Sequence, residues 1–372
     1  MFALYIVLSI LILLLMVTIH EFGHYIAGRI LGFKINEFSI GFGPAIFQRT
    51  NKRGEKISLR IFPLGGFCAF EGEDEGEPAK PKKENVEIDV FSEKESKPEE
   101  KANEQQNKQL SFNEQKPWKR IIVLISGALF NIISGFIFSI IFIAVIGNSL
   151  PVVGEVYDTP NASIIKENDI IVAVNGKKIT IMKDLSTLMK DIDENEDFVL
   201  TVLRDDVKKD LPLKKVRYTF LDENKKEQTN VGIGIITKDY VRQSYNIFES
   251  IGYAFPFTLK MAGTILSAFG DLLRGIGLNQ LSGPVTTVTE MAKLSQANIL
   301  NVLILLPLIA VNLGIFNLFP IPALDGSKIV FTLIEWIRKK PINRNIENMI
   351  HFVGFVLLLG LIIVIDMLKF IR

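Results

Sequence analysis

His20-Glu21-Phe22-Gly23-His24 stands near the end of an apolar run from Phe2 to about Ile30, and this stretch decides how the chain is read. Residues four apart on a helix lie one above the other, so His20 and His24 can offer two imidazole nitrogens to one Zn2+. Glu21 sits one step round the helix. From there its carboxylate can take a proton from a water attacking a carbonyl and return it to a leaving amine without being a ligand. Ionisable groups inside a membrane span cost about 2.5–3.5 kcal/mol each, so three together call for a compensating partner such as a metal. The chain has three histidines, and two are used here.

The rest of the composition fits a membrane protein carrying polar insertions. Of 372 residues 48% are hydrophobic, yet 22% are charged, so the two populations must be segregated along the chain. A net charge of +1, in blocks and without a basic face, gives no reason to expect nucleic-acid binding. A single cysteine, Cys68, excludes an intrachain disulfide framework and reads as a buried thiol.

Four runs are long enough to span a bilayer: Phe2 to Ile30, Ile121 to Ile146, Ile299 to Phe319 and Ile350 to Met367. The first has no basic leader and no small-residue cleavage site, which argues against a signal peptide. A fifth run, Ile251 to Leu273, is interrupted by Pro256, Lys260 and Asp271 and reads as an interfacial amphipathic or re-entrant helix. Trp118-Lys119-Arg120 and Arg338-Lys339-Lys340 with Arg344 assign their loops to the cytoplasm, although Lys369 and Arg372 pull the other way. His20 then lies about 18 residues, roughly 27 Å of helix, from the outer end of its span, near the cytoplasmic side.

Between the first two spans, residues 34–72 alternate apolar and polar with glycine punctuation and predict strands and hairpins at the inner membrane face. From Glu73 to Gln115 the chain is charged and almost devoid of apolar residues, which predicts a disordered tether. A second insertion, Pro151 to Asp239, contains Val152-Val153-Gly154-Glu155-Val156, Asp169 to Gly176 and Phe198 to Arg204 as short strands, with a helical segment at Met182–Asp191.

A catalytic zinc needs a third protein ligand and an open position. Asp325 is the candidate, because Pro320 and Pro322 break the helix where the third span reaches the depth of His20 and His24. Irregular backbone at that depth is tolerated only where it is buried or lines a watery cavity. An ordinary proline exit followed by a surface Asp is the plainer alternative.

Taken together, these motifs resemble the bacterial site-2 proteases, membrane zinc metalloproteases that cleave anti-sigma factors and related single-span proteins. The resemblance rests on His20-Glu21-Phe22-Gly23-His24 and on Asn317-x-x-Pro320-x-Pro322-x-Leu324-Asp325-Gly326. Gly41-Phe42-Gly43-Pro44, Pro63-Leu64-Gly65-Gly66-Phe67, Ser126 to Asn131 and Ser282-Gly283-Pro284-Val285 add to it. It implies that His20, His24 and Asp325 hold Zn2+, that Glu21 is the general base, and that Asn317, Pro320, Pro322, Gly65 and Gly66 help to position substrate. It also implies a multi-pass protein of the cell membrane whose partners are single-span substrates, anti-sigma factors or signal-peptide remnants, already trimmed by another protease. Asn131 matches more loosely and can equally be helix-packing glue.

The second insertion resembles a PDZ domain, most clearly at Asp169 to Gly176. It departs at Lys166-Glu167-Asn168, and no Gly-Φ-Gly-Φ carboxylate loop is read in it, so capture of a peptide C-terminus is not expected.

The expected fold is therefore a polytopic α-helical membrane protein with about four spans, an inner-face β-hairpin region and an outer PDZ-like β-rich domain. Its segments are 1–33 (first span), 34–72 (β region), 73–117 (tether), 118–148 (second span) and 149–240 (PDZ-like domain). The remainder divides into 241–297 (amphipathic segment), 298–326 (third span), 327–347 (cytoplasmic connection) and 348–372 (fourth span). His351 reads as opening the last span at the interface, and Glu335 and Asp366 as residues flanking spans. Two other functions fit parts of this pattern. A membrane scaffold with a structural zinc would have no need of Glu21 and would want a fourth ligand, and a zinc transporter would spread its ligands along a path.

Overall fold

Each long apolar run becomes a helix, since only intra-segment hydrogen bonding satisfies a backbone in lipid. The first three spans are α1 (Phe2–Leu31), α2 (Pro117–Ile146) and, after a short 3-10 turn at Ile299–Asn301, α6 (Val302–Asn317). The last is α8 (Arg344–Ile371). All four segments are long and apolar enough to cross a membrane. The structure, a computed structural model, describes residues 2–73, 110–194, 196–221, 227–277 and 281–371. It divides into two compact units, Met1–Gly135 with Met261–Arg372, and Phe136–Lys260.

In the first unit the spans approach closely through small residues, as membrane helices do when dispersion rather than the hydrophobic effect drives packing. A Cβ on Gly314 of α6 would stand 2.9 Å from the Ala128 carbonyl oxygen of α2. After α1 the chain enters two long antiparallel strands, β1 (Ile35–Thr50) and β2 (Lys56–Phe70). Both bend, at Gly41-Phe42-Gly43-Pro44 and at Pro63-Leu64-Gly65-Gly66, where Gly41 and Gly65 have φ of 85° and 115°. The bends fold the hairpin on itself. Residues 35–40 register with 66–70 on one side and, from Glu37 to Ile40, with 56–59 on the other, and 45–50 register with 56–60. The 66–70 and 45–50 segments are thus the edges.

Two further helices belong to this unit. α7 (Asp325–Arg338) follows the proline break, so most of the expected 327–347 connection is helical. α5 (Pro284–Ala297) starts at Gly283-Pro284, where the Asp366 side chain accepts from the Val285 and Thr286 N–H groups at 3.2 and 3.1 Å. Asp366 therefore caps a helix rather than merely flanking a span.

Most of the expected tether, 74–109, lies outside the described residues. Its end does not behave as a tether. Phe112 is buried among Tyr25, Phe33, Ile35 and Phe70, and its N–H donates to the Glu71 carbonyl at 2.7 Å. One aromatic ring in a polar run had enough area to bury to anchor the segment.

The second unit is built on a sheet of β3 (Asn148–Val156), β4 (Ile170–Val174), β5 (Lys177–Lys178), β6 (Asp197–Arg204), β7 (Val207–Lys214) and β10 (Ile235–Gln243). The strand order is β10-β3-β4-β6-β7 with β5 beside β4. Asn175 and Gly176, with φ of 48° and 71°, make the β4–β5 turn. The expected helix shortens to α3 (Leu185–Lys190), started by Asp184 accepting from the Thr187 N–H at 2.7 Å. Val153, Ile171, Leu200 and Val202 form the core, and buried Asp169 pairs with Arg204 at 2.6 Å. β8 (Val216–Leu221) and β9 (Glu227–Gly232) form a separate hairpin. From its last residue, Gly232-Ile233-Gly234-Ile235 supplies the Gly-Φ-Gly-Φ sequence that the reading of 151–239 misses, at the far end of the domain, leading into β10. From Ile247 to Leu273 the chain is one helix, α4, with Pro256 inside it, and α4 is not among the four span-length segments.

Candidate metal centre

The centre forms where α1 crosses α2, and two glycines permit the crossing. A Cβ on Gly23 would stand 2.5 Å from the Ser126 carbonyl oxygen. A Cβ on Gly127 would stand 2.4 Å from His24 Nε2 and 2.8 Å from His20 Cε1. The imidazoles therefore occupy the space that α2 leaves by having no side chain at Gly127.

Asp325 arrives from the other side as the first residue of α7, where the partial positive charge of a helix N-terminus favours a carboxylate. Gly326 beside it is fixed by packing, since a Cβ there would stand 2.2 Å from the Phe319 carbonyl oxygen. Three donor atoms then converge. Asp325 Oδ2 lies 2.9 Å from His20 Nε2 and 3.1 Å from His24 Nε2, and the two Nε2 atoms are 3.2 Å apart. Tetrahedral ligands at zinc distances stand about 3.3 Å from one another, so this triangle has the size and the N/O donor set for that ion.

Both imidazoles are oriented from behind. His24 Nδ1 is 2.8 Å from the Val123 carbonyl oxygen, which can only accept, so Nδ1 carries the proton and the Nε2 lone pair faces the centre. Behind His20 stands Asn131, fully buried, with its Nδ2 3.4 Å from His20 Nδ1 and its Oδ1 without a partner. Turning that amide over places Oδ1 on a His20 Nδ1–H, which satisfies the orphaned oxygen and leaves the His20 Nε2 lone pair for a metal. Asn131 is thus placed at the site and not only at a helix contact.

Glu21 lies beside the triangle. It lines a cavity of about 350 Å³ with His24, Asp325, Lys328 and the β2 segment Phe67 to Phe70. The Cys68 backbone N–H donates to its carboxylate. Cys68 is half-buried rather than buried, and desolvation pushes its thiol well above the usual range, which keeps it protonated.

The remaining sequence candidates separate. Gly65 and Gly66 form the bend of β2, and the Cβ position of Gly66 is 3.5 Å from Glu21 Cγ. Asn317 ends α6 with its amide donating to the Leu313 carbonyl at 3.0 Å. Neither Asn317, Pro320 nor Pro322 lines the cavity that holds Glu21. His351, at the start of the last expected span, has a specific partner: its Nδ1 accepts from the Ala323 N–H at 3.2 Å, two residues before Asp325. Glu335, read as a flank, is buried between Arg120 at 2.6 Å and Arg344 at 2.9 Å. No local pattern marks either residue, since Arg120 lies 215 residues from Glu335 and Ala323 lies 28 from His351.

Comparison with known proteins extends over nearly the whole chain. Residues 8–361 match the description of peptidase family M50. The regulator of sigma-W protease RasP of Bacillus subtilis (strain 168) is 29% identical over 408 aligned positions, covering 94% of each chain. The zinc metalloprotease RasP of Bacillus licheniformis is 28% identical, with 96% of each chain covered. The metal-sized triangle of donors at the end of an apolar span is what such a match leads one to expect, and the chain belongs to peptidase family M50, the membrane-embedded zinc metalloproteases of site-2 type.

Proposed function

We propose that His20, His24 and Asp325 hold the zinc, that Glu21 is the general base, and that the chain hydrolyses peptide bonds within or near the membrane segments of single-span proteins. The observation that carries this is Glu21 standing free of the donor triangle, on a cavity shared with His24 and Asp325. A structural zinc would have no use for a carboxylate held there. Zinc bound by three protein groups supplies Lewis acidity at its open position. Glu21 takes the proton of the attacking water as its oxygen bonds to the carbonyl carbon. As the C–N bond breaks, it passes that proton to the leaving amine.

A helical substrate shields its carbonyls with internal hydrogen bonds and must be extended before it can react. The 66–70 segment supports a docking edge for such a strand, because it is an edge of the hairpin sheet and walls the cavity. Anti-sigma factors and signal-peptide remnants, shortened beforehand by another protease, are the substrates of this reading. The β-rich unit is PDZ-like, lies on the outer side and excludes untrimmed ectodomains by size, with the zinc site near the cytoplasmic face.

The test compares wild type with Glu21→Gln in a membrane host expressing single-span reporters already shortened outside. Cleavage lost with zinc content unchanged is the expected result. Zinc retained, with no Glu21-dependent cleavage of any reporter, would instead point to a scaffold with a structural metal.

A further inference from the structure

We infer that His351 is a positioning residue for Asp325, an inference that rests on Asp325 being a zinc ligand. Ile321 to Leu324 form a turn closed by the Leu324 N–H donating to the Ile321 carbonyl at 3.1 Å. Pro322 takes its second position and Ala323 its third, with φ of 80°. That is the type II position where glycine belongs, and alanine is strained there by its Cβ. The turn opens directly into Asp325, so its conformation sets where the carboxylate points.

Two contacts from one face of α8 hold this turn. The Ala323 N–H donates to His351 Nδ1 at 3.2 Å. Gly354, one turn along, packs against Pro322 so closely that a Cβ would stand 2.2 Å from Pro322 Cβ. The His351 ring is itself set against Phe331, with centroids 5.6 Å apart. A cavity of about 370 Å³ borders Ala323, Lys328 and His351, so a turn deprived of its acceptor has room to relax. Relaxation there moves Asp325 away from His20 and His24.

The test uses the full chain in detergent and follows bound zinc against increasing amounts of a competing chelator, with kcat and KM on a membrane-segment reporter. His351→Leu removes the acceptor, His351→Asn places an oxygen where Nδ1 was, and His351→Gln moves the acceptor to the Nε2 position. His351→Leu and His351→Gln are expected to release zinc at about 10–100-fold lower chelator and to lower kcat more than they raise KM. His351→Asn is expected to behave as wild type. In an Ala323→Gly background His351→Leu is expected to lose less, because glycine takes that φ without strain. Wild-type zinc retention in His351→Leu overturns the proposal, as does equal failure of His351→Asn and His351→Gln. If His351→Leu does not accumulate, the Asn and Gln variants decide alone. Asp325→Asn is the reference: if it too keeps zinc, the ligand assignment has failed, which is a separate result.

Discussion

α7 carries two carboxylates with little access to water, Glu335 buried and Asp325 half-buried, and they are solved in opposite ways. Glu335 meets permanent cations: Arg120 at 2.6 Å and Arg344 at 2.9 Å, while Arg344 also pairs with Glu347 and the Ile342 N–H donates to Glu335 Oε1 at 3.0 Å. Two arginines against two glutamates close that account at zero charge. Asp325, three turns earlier, faces two imidazoles that are neutral once His24 and His20 turn their lone pairs toward it. With the imidazoles neutral and Glu21 ionised, as zinc chemistry requires, the centre would hold two negative charges, and Lys328, on the same cavity, pairs with Glu73 at 2.8 Å. A divalent cation balances this cluster, whereas Glu335 needs none. A buried carboxylate is thus a functional signal only where its partners leave charge and lone pairs over.

The sharpest way to break this contrast is to neutralise each carboxylate. Asp325→Asn is expected to lose zinc and to bring reporter cleavage below detection, while the protein still accumulates in the membrane. Glu335→Ala is expected to do the reverse, costing about 3–5 kcal/mol of stability by leaving the buried Arg120 without its carboxylate. Its surviving folded fraction should hold a full complement of zinc. Metal analysis beside thermal unfolding in detergent separates them, and zinc loss in folded Glu335→Ala would erase the distinction.

Gly127→Ala sharpens it from the backbone side. Its Cβ would intrude to 2.4 Å from His24 Nε2, so either α2 backs away or the imidazole turns. Overpacking of this kind costs about 1–3 kcal/mol in stability, and here it falls on the donor triangle. Reduced zinc affinity with modest destabilisation is expected. An unchanged chelator titration would mean the glycine is only a packing convenience.

The sequence makes one half of this contrast visible and hides the other. The four spans and the His20-Glu21-x-x-His24 pattern are local signals, carried by uninterrupted hydropathy and a fixed helical spacing, and the proline break points to Asp325. The Arg120–Glu335–Arg344 cluster joins residues 215 apart at its longest link, and nothing near Glu335 announces it. The folding of the hairpin on itself is hidden for the same reason, since alternation predicts strands but not which segments become neighbours. The contacts of His351 and Asp366 are hidden because a polar residue at a span end has an obvious local explanation. Phe112 reversed the reading of its surroundings because composition averages over the one side chain that packs.

The smallest expected effect is on acid sensitivity. Burial alone would raise the Glu335 carboxyl, but the Ile342 N–H, Arg120 and Arg344 outweigh it and hold its pKa below the ordinary 4.5. As pH falls, the unfolded chain therefore binds this proton before the folded one does. The stability contributed by Glu335 is complete above about pH 4.5 and is lost as pH drops through the lower folded value. Glu335→Gln lacks that proton site, so its unfolding temperature should start lower and then decline less steeply than wild type below about pH 4.5. Parallel curves would mean that the arginines do not distinguish the charged from the neutral side chain, and that the two ends of α7 differ less than their partners suggest.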